Sequence, residues 1–211
     1  MKIILAMHLA YLPVLAGASK CNRLLAEDLA RRGHTISVIV PAVATASEYS
    51  YAQFREALTV SGVQVESTPD ADVFNLNGVE VHACQDPSRL RAYLENRIGH
   101  TAPDLILVSN EDWSQGLLET ATRAAPGRTV YIVHTLLYLP FGPQAYFPSR
   151  KRTALVGKAA GIIAVGHFVS DYIHQWSALD ATVLHWPAYG SGPFPDLACF
   201  DNGFITLVNP S

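Results

Sequence analysis

Residues 2–41 constrain the fold most, because two short apolar runs flank one amphipathic stretch. Residues 2–7 (KIILAM) have the length of a buried parallel strand and are closed off by His8 and Pro13. Over residues 19–32, Cys21, Leu24, Leu25 and Leu29 recur at i, i+3, i+4 and i+8, which predicts one helical face. Ser19 stands near the expected N-cap and Gly33 at the stop. The β-branched run TISVIV at 35–40 then ends at Pro41 and reads as a second buried strand. Strand, helix and strand within forty residues make a βαβ unit, whose crossover is almost always right-handed.

The alternation continues. Residues 49–58 read as a helix and 63–67 as a short strand. The runs 73–76 and 79–84 flank Asn77-Gly78, a two-residue hairpin signal. Leu90, Leu94 and Ile98 recur every fourth residue on a helix expected to end near Gly99. Further strands are predicted at 104–109, 129–134, 162–165 and 181–185, with helices at 116–125, 150–159 and 169–176. The fold class is therefore α/β: a Rossmann-like, doubly wound, mostly parallel sheet with a small hairpin insertion. Proline and glycine crowd residues 187–195, and a lone strand is predicted at 203–208. That pattern reads as a linker followed by the first strand of a second domain.

Composition narrows the function. Apolar residues make up 49% and charged residues 16%, which excludes disorder. Fifteen Lys+Arg against 18 Asp+Glu leave a net charge of −3, too near neutral for a nucleic-acid footprint. Cys21, Cys84 and Cys199 are odd in number and far apart, which suits a reducing, cytoplasmic setting better than a disulfide framework. Residues 3–18 mimic a secretory signal, but His8 and Pro13 interrupt the run, and cleavage would remove the first strand of the βαβ unit. Residues 129–149 approach the length of a bilayer span but contain Pro140, Gly142, Pro143 and Pro148, so no transmembrane helix is expected.

In open α/β sheets, ligands bind outside the carboxyl ends of the strands, which selects the loops beginning at His8, Asn110 and His134. The first holds Ala16-Gly17-Ala18 before a helix, where small residues let an anion approach the amides; alternatively Gly17 only permits a tight turn. His134 ends an apolar strand, and a neutral imidazole there can accept a proton or bind a hydroxyl, or simply be satisfied by backbone carbonyls. Glu111 and Asp112 either bind hydroxyls or cap the following helix. Arg150, Lys151 and Arg152 open a helix against its dipole, either for an anionic partner or as a solvated basic face. Asp70-Ala71-Asp72 mimics a metal-binding D-x-D but is expected to be a solvated turn, so no metal ligands are assigned. The three-glycine dinucleotide fingerprint, a Walker lysine, a nucleophile elbow, H-E-x-x-H and C-x-x-C are all missing from the sequence.

The stretch KIILAMHLAYLPVLAGASK, with LAEDLARRGHTISVIVP after it, resembles the opening of GT-B glycosyltransferases of the family 4 type. PDLILVSNED, TVYIVHT and AAGIIAVGHFVSDYI are similar to three later signatures, and HWPAYGSGPFP before GFITLVNPS is similar to the crossing into a C-terminal domain. The resemblance covers essentially the whole chain but about half of a complete enzyme. It implies that residues 1–186 are a Rossmann-like acceptor-side domain and 187–211 an interdomain linker with the first strand of a truncated nucleotide-sugar-binding domain.

By that resemblance, the intact enzyme transfers a hexosyl-type sugar from a nucleotide-sugar to an unidentified acceptor, with retention and without a bound metal or other cofactor. The truncated domain alone is expected to be inactive. Gly17 matches the second glycine of the family's first loop, near donor phosphate and acceptor, and His134 matches its active-site histidine. Arg150 or Lys151 falls where some members place an acceptor-binding basic residue. Ala16 replaces the usual first glycine, which puts close phosphate approach at that amide in doubt, and the family's E-x7-E pair belongs to the missing C-terminal domain. The rivals are a non-catalytic sugar- or nucleotide-binding module and a nucleotide-dependent oxidoreductase or epimerase.

Overall fold

Side chains of Lys2–Ala6 (β1) leave the sheet alternately on its two faces, as a pleated strand requires, and each face meets its own core. Ile4 and Ala6 enter one apolar cluster, Ile3 and Leu5 the other, and none of the four is more than 3% exposed. The computed structural model describes residues 1–14, 16–43 and 49–186. The expected linker at 187–195 and strand at 203–208 lie outside the described residues.

After β1 come α1 (Gly17–Arg31), β2 (Thr35–Pro41), α2 (Tyr51–Val60), β3 (Val65–Ser67), β4 (Ala71–Leu76) and β5 (Val79–Cys84). A 3-10 turn, Pro87–Arg89, leads into α3 (Leu90–Thr101), β6 (Leu105–Ser109), α4 (Gly116–Ala124) and β7 (Thr129–Val133). The described part closes with α5 (Arg150–Val156), β8 (Gly161–Ala164), α6 (His167–Ser177) and β9 (Thr182–Val183). The nine strands form one sheet in the order β3-β4-β5-β2-β1-β6-β7-β8-β9. β4 is antiparallel to both its neighbours, and the pairings from β5 through β9 are parallel. Residues of α1 and α2 join the core on one face; α3, α4, α5 and α6 supply the other. The domain is therefore a doubly wound, Rossmann-like α/β sheet. No described helix is long and apolar enough to cross a membrane.

Several local expectations need correction. The hairpin turns at Asn77 (φ 52°) and Gly78 (φ 81°), both in the left-handed region that such a two-residue connection demands. That hairpin is where the Asn-Gly signal puts it, and its second strand β5 pairs with β2 from Ile36↔Val79 to Pro41↔Cys84, so it extends the main sheet. α3 runs through Gly99 to Thr101 and closes with Ala102 at φ 45°. Gly99 lies on the exposed side, where a glycine costs a helix only about 1 kcal/mol.

Asp72 is not a solvated turn. It is fully buried in β4, where Arg55 Nη1 (2.7 Å), Ser67 Oγ (2.7 Å) and Tyr51 Oη (2.7 Å) surround its carboxylate. Asp70 instead pairs with Arg89. The described residues hold no cluster of three or more His, Cys, Asp or Glu that could bind a metal.

The largest departure is in α1. The helix begins two residues before Ser19, with Ala16 as N-cap, and its buried residues are Ser19, Asn22, Ala26 and Glu27. Leu25 and Leu29 only flank the core, partly buried. Polar groups can occupy the inner stripe because each finds partners: Ser19 Oγ donates to Ala16 O (2.9 Å), and Glu27 accepts from Arg23 Nε (2.8 Å) and Asn77 Nδ2 (3.0 Å).

Candidate active site

The chain steps from β1 to β2 on one side and reaches β6 on the other, so the strand order reverses between β1 and β6. Such a switch point opens a crevice at the carboxyl ends of the strands. His8 follows β1 there, Asn110, Glu111 and Asp112 follow β6, and His134 follows β7. Asn22 reaches the same place from the second turn of α1.

These side chains are hydrogen-bonded in series. His134 Nε2 lies 2.9 Å from Asn22 Oδ1. Asn22 Nδ2 donates to Ser109 Oγ (2.8 Å) and Glu111 Oε1 (3.3 Å), and Ser109 Oγ donates to Glu111 Oε1 (2.5 Å). Asn110 anchors the segment after β7: its Oδ1 accepts from His134 N (2.8 Å) and its Nδ2 donates to Thr135 O (2.6 Å). Asn22, Ser109 and Asn110 are at most 1% exposed, so water does not compete for these bonds.

Three titratable groups here are driven apart by their surroundings. Burial lowers the His134 imidazole to about 4, so the ring is neutral at neutral pH. Burial raises the Glu111 carboxyl, although bonds from Ser109 and Asn22 oppose the rise, and its Oε2 has no partner among the described residues. Burial would also raise Asp112, but the neighbouring His8 imidazole and the Ser114 hydroxyl and amide outweigh it and hold this carboxyl well below the usual range. His8 Nε2 is 3.1 Å from Asp112 Oδ2, within ion-pair range but without hydrogen-bond alignment. Asp112 also accepts from Ser114 N (2.8 Å) and Gly116 N (2.7 Å), so it, rather than Glu111, holds the first amide of α4, whose N-cap residue is Gln115. Two adjacent carboxylates thus sit in opposite environments, Asp112 held ionised by its donors and Glu111 raised by burial and joined to His134 through Asn22.

The residue model of Glycosyltransferase Family 4 matches positions 15–187, most of the chain. The chain belongs to this family. Solved structures similar to this Family 4 chain include MurG of Acinetobacter baumannii, at 9% identity and a TM-score of 0.40, covering 79% of this chain and 42% of that one. The chain thus spans less than half the length of that protein. Comparison with curated proteins finds no match.

The predicted site residues of this Family 4 domain separate into two groups. His134 and Glu111 belong to the hydrogen-bonded series. Gly17 opens α1, and the helical rise places it about 7.5 Å along the axis from Asn22. Its φ is not in the left-handed region and an added Cβ would meet nothing within 4 Å, so neither a turn nor packing requires glycine there. Ala16, also exposed, makes no side-chain cap. Arg150 and Lys151, consecutive on α5 and about 100° apart around its axis, stand apart from the series and border different hollows. Lys151 lines an open groove of about 670 Å³ with Arg123, Arg152 and Lys158, whereas Arg150 borders a hollow with Phe141 and Trp176. The first groove adjoins the site through Trp113, whose carbonyl accepts from Arg152 Nη1 (3.2 Å) and whose ring lies 5.4 Å from that guanidinium.

Asn22, Ser109 and Asn110 are functional candidates that hydrophobic periodicity passes over. A visible signal exists in the run Ser109-Asn110-Glu111-Asp112, four polar residues set directly on the end of an apolar strand.

Proposed function

We propose that this chain is the acceptor-side lobe of a glycosyltransferase that moves a hexosyl group from a nucleotide-sugar to an acceptor, with retention of configuration. The observation that carries the reading is the series His134–Asn22–Ser109–Glu111, placed at the switch point of a Family 4 domain. Burying polar groups is costly unless they are fully bonded, so a buried histidine and carboxyl gathered at this place favour a functional role. Free thiols at Cys21 and Cys84 accord with a cytoplasmic setting, where the nucleotide-sugar would be met.

In this proposal the sugar lies in a crevice between this lobe and a nucleotide-binding lobe. Neutral His134 bonds a sugar hydroxyl and orients the ring. The first amides of the 15-residue α1, beginning at Gly17, point at the leaving diphosphate, and the helix dipole favours its charge. The open space over Gly17 lets an anion reach those amides. Glu111, whose carboxyl burial raises, is the group here best suited to hold or move a proton.

The deciding experiment measures turnover of a nucleotide-sugar panel by the 211-residue chain joined to a nucleotide-binding lobe and by the 211-residue chain alone. Transfer by the first and silence from the second is the expected pattern. Tight binding of a nicotinamide cofactor without sugar transfer would favour the oxidoreductase alternative instead.

A further inference from the structure

The amide of Asn22 has two different ends, and its surroundings determine which way each faces. Its NH2 can only donate and its oxygen can only accept. On one side stand three acceptors: Ser109 Oγ at 2.8 Å, Glu111 Oε1 at 3.3 Å and Met7 Sδ at 3.6 Å. With Glu111 ionised, Ser109 has no proton to offer back, because its hydroxyl is committed to Glu111 Oε1 at 2.5 Å. Reversing the amide would press Oδ1 against a carboxyl oxygen and a thioether, with no water available to a fully buried side chain. Oδ1 therefore faces His134 Nε2 at 2.9 Å, and that nitrogen must carry the proton.

A neutral imidazole has one N–H. With Nε2 protonated, Nδ1 is left with a bare lone pair, and it makes no hydrogen bond within the described residues. Asn110 holds the backbone of His134 and Thr135, so the ring cannot escape by moving the loop.

We infer that Asn22 is a positioning residue that locks His134 as the Nε2–H tautomer, so that Nδ1 accepts a hydrogen bond from a ligand hydroxyl and offers nothing to a phosphate or carboxylate oxygen. The inference rests on the reading that His134 faces the substrate, and it sharpens that reading. The anionic end of a donor binds elsewhere, and the group at Nδ1 is an O–H of a sugar.

The test is 15N NMR of the His134 ring at neutral pH in the 211-residue chain. Wild type should show two widely separated ring-nitrogen resonances, Nε2 of the protonated type and Nδ1 of the bare type. Asn22→Leu should bring the two together as the second tautomer becomes populated. Ser109→Ala, which removes the anchor and spares Asn22, should do the same to a lesser degree and serves if Asn22→Leu does not fold. A protonated Nδ1 in wild type, or an unaltered separation in both variants, overturns the lock. With a nucleotide-binding lobe joined to the chain to complete the crevice, methyl hexopyranosides should then shift Nδ1 while inorganic phosphate leaves it in place. A shift with phosphate overturns the assignment of ligand class. An intact lock with no response to any glycoside leaves Asn22 in its role and contradicts the proposed function instead.

Discussion

His8 Nε2 lies 3.1 Å from Asp112 Oδ2, which joins the loop after β1 to the loop after β6 across the point where the strand order reverses. The same carboxylate accepts the amides of Ser114 and Gly116, so one buried side chain ties both walls of the crevice to the start of α4.

Asp112→Ala should therefore destabilise the fold by about 1–3 kcal/mol, the cost of leaving buried donors without a partner. The folded carboxyl is depressed below its unfolded value of about 3.9. Its contribution is complete above that value and is lost as pH falls towards the lower folded value. Urea midpoints measured from pH 7 down to pH 3 should show the gap between wild type and variant narrowing only below about pH 4.

His134 gives a pH signature of the same sign in a higher window. Its folded value, about 4, lies below the unfolded 6.5, so the unfolded chain takes up the proton first. Stability is then full above pH 6.5 and falls by up to about 3 kcal/mol as pH drops to 4. His134→Gln should flatten urea-derived stability across that window, and an unchanged slope would refute the buried neutral ring.

Asp72 sits in a structural pair. Asp72→Ala would strand Arg55, Tyr51 and Ser67 around an empty site and should cost about 1–3 kcal/mol in a denaturant melt. Adding Mn2+ to the wild-type chain should leave its Tm where it was. A metal-dependent rise that Asp72→Ala abolishes would restore the D-x-D reading.

Gly17→Ala separates fold from function. An added methyl meets open space and alanine is the better helix former, so stability should hold or rise by up to about 1 kcal/mol. Turnover by the natural protein should nevertheless fall, because the methyl occupies the approach to the α1 amides. Equal turnover would mean that no ligand comes close there.

Much of the sheet is legible in the chain because each buried strand is a short, nearly continuous apolar run bounded by breakers. VYIV within β7 and LILV within β6 are of this kind, and their order alone implies helices on both faces. The site is less legible. Periodicity rewards leucines, so it assigns the inner face of α1 to Leu24, Leu25 and Leu29, whereas Ser19, Asn22 and Ala26 fill it. A small, polar stripe can face inward there because its hydrogen-bond partners come from Met7, Ser109, Glu111 and His134, which are distant in sequence. His134 and Glu111 can be found from their positions at strand ends, but the residue that links them cannot. Asp72 reads as a turn for the same reason: Arg55, its charge partner, sits 17 positions away on α2.

The most direct measurement is sugar transfer from a nucleotide-sugar by the natural protein, wild type against His134→Ala, with folding of both verified by circular dichroism. The account predicts a fall in kcat/KM of roughly a hundredfold, the scale at which one positioned hydrogen-bonding group contributes to catalysis. A His134→Ala variant that transfers sugar at the wild-type kcat/KM would contradict it.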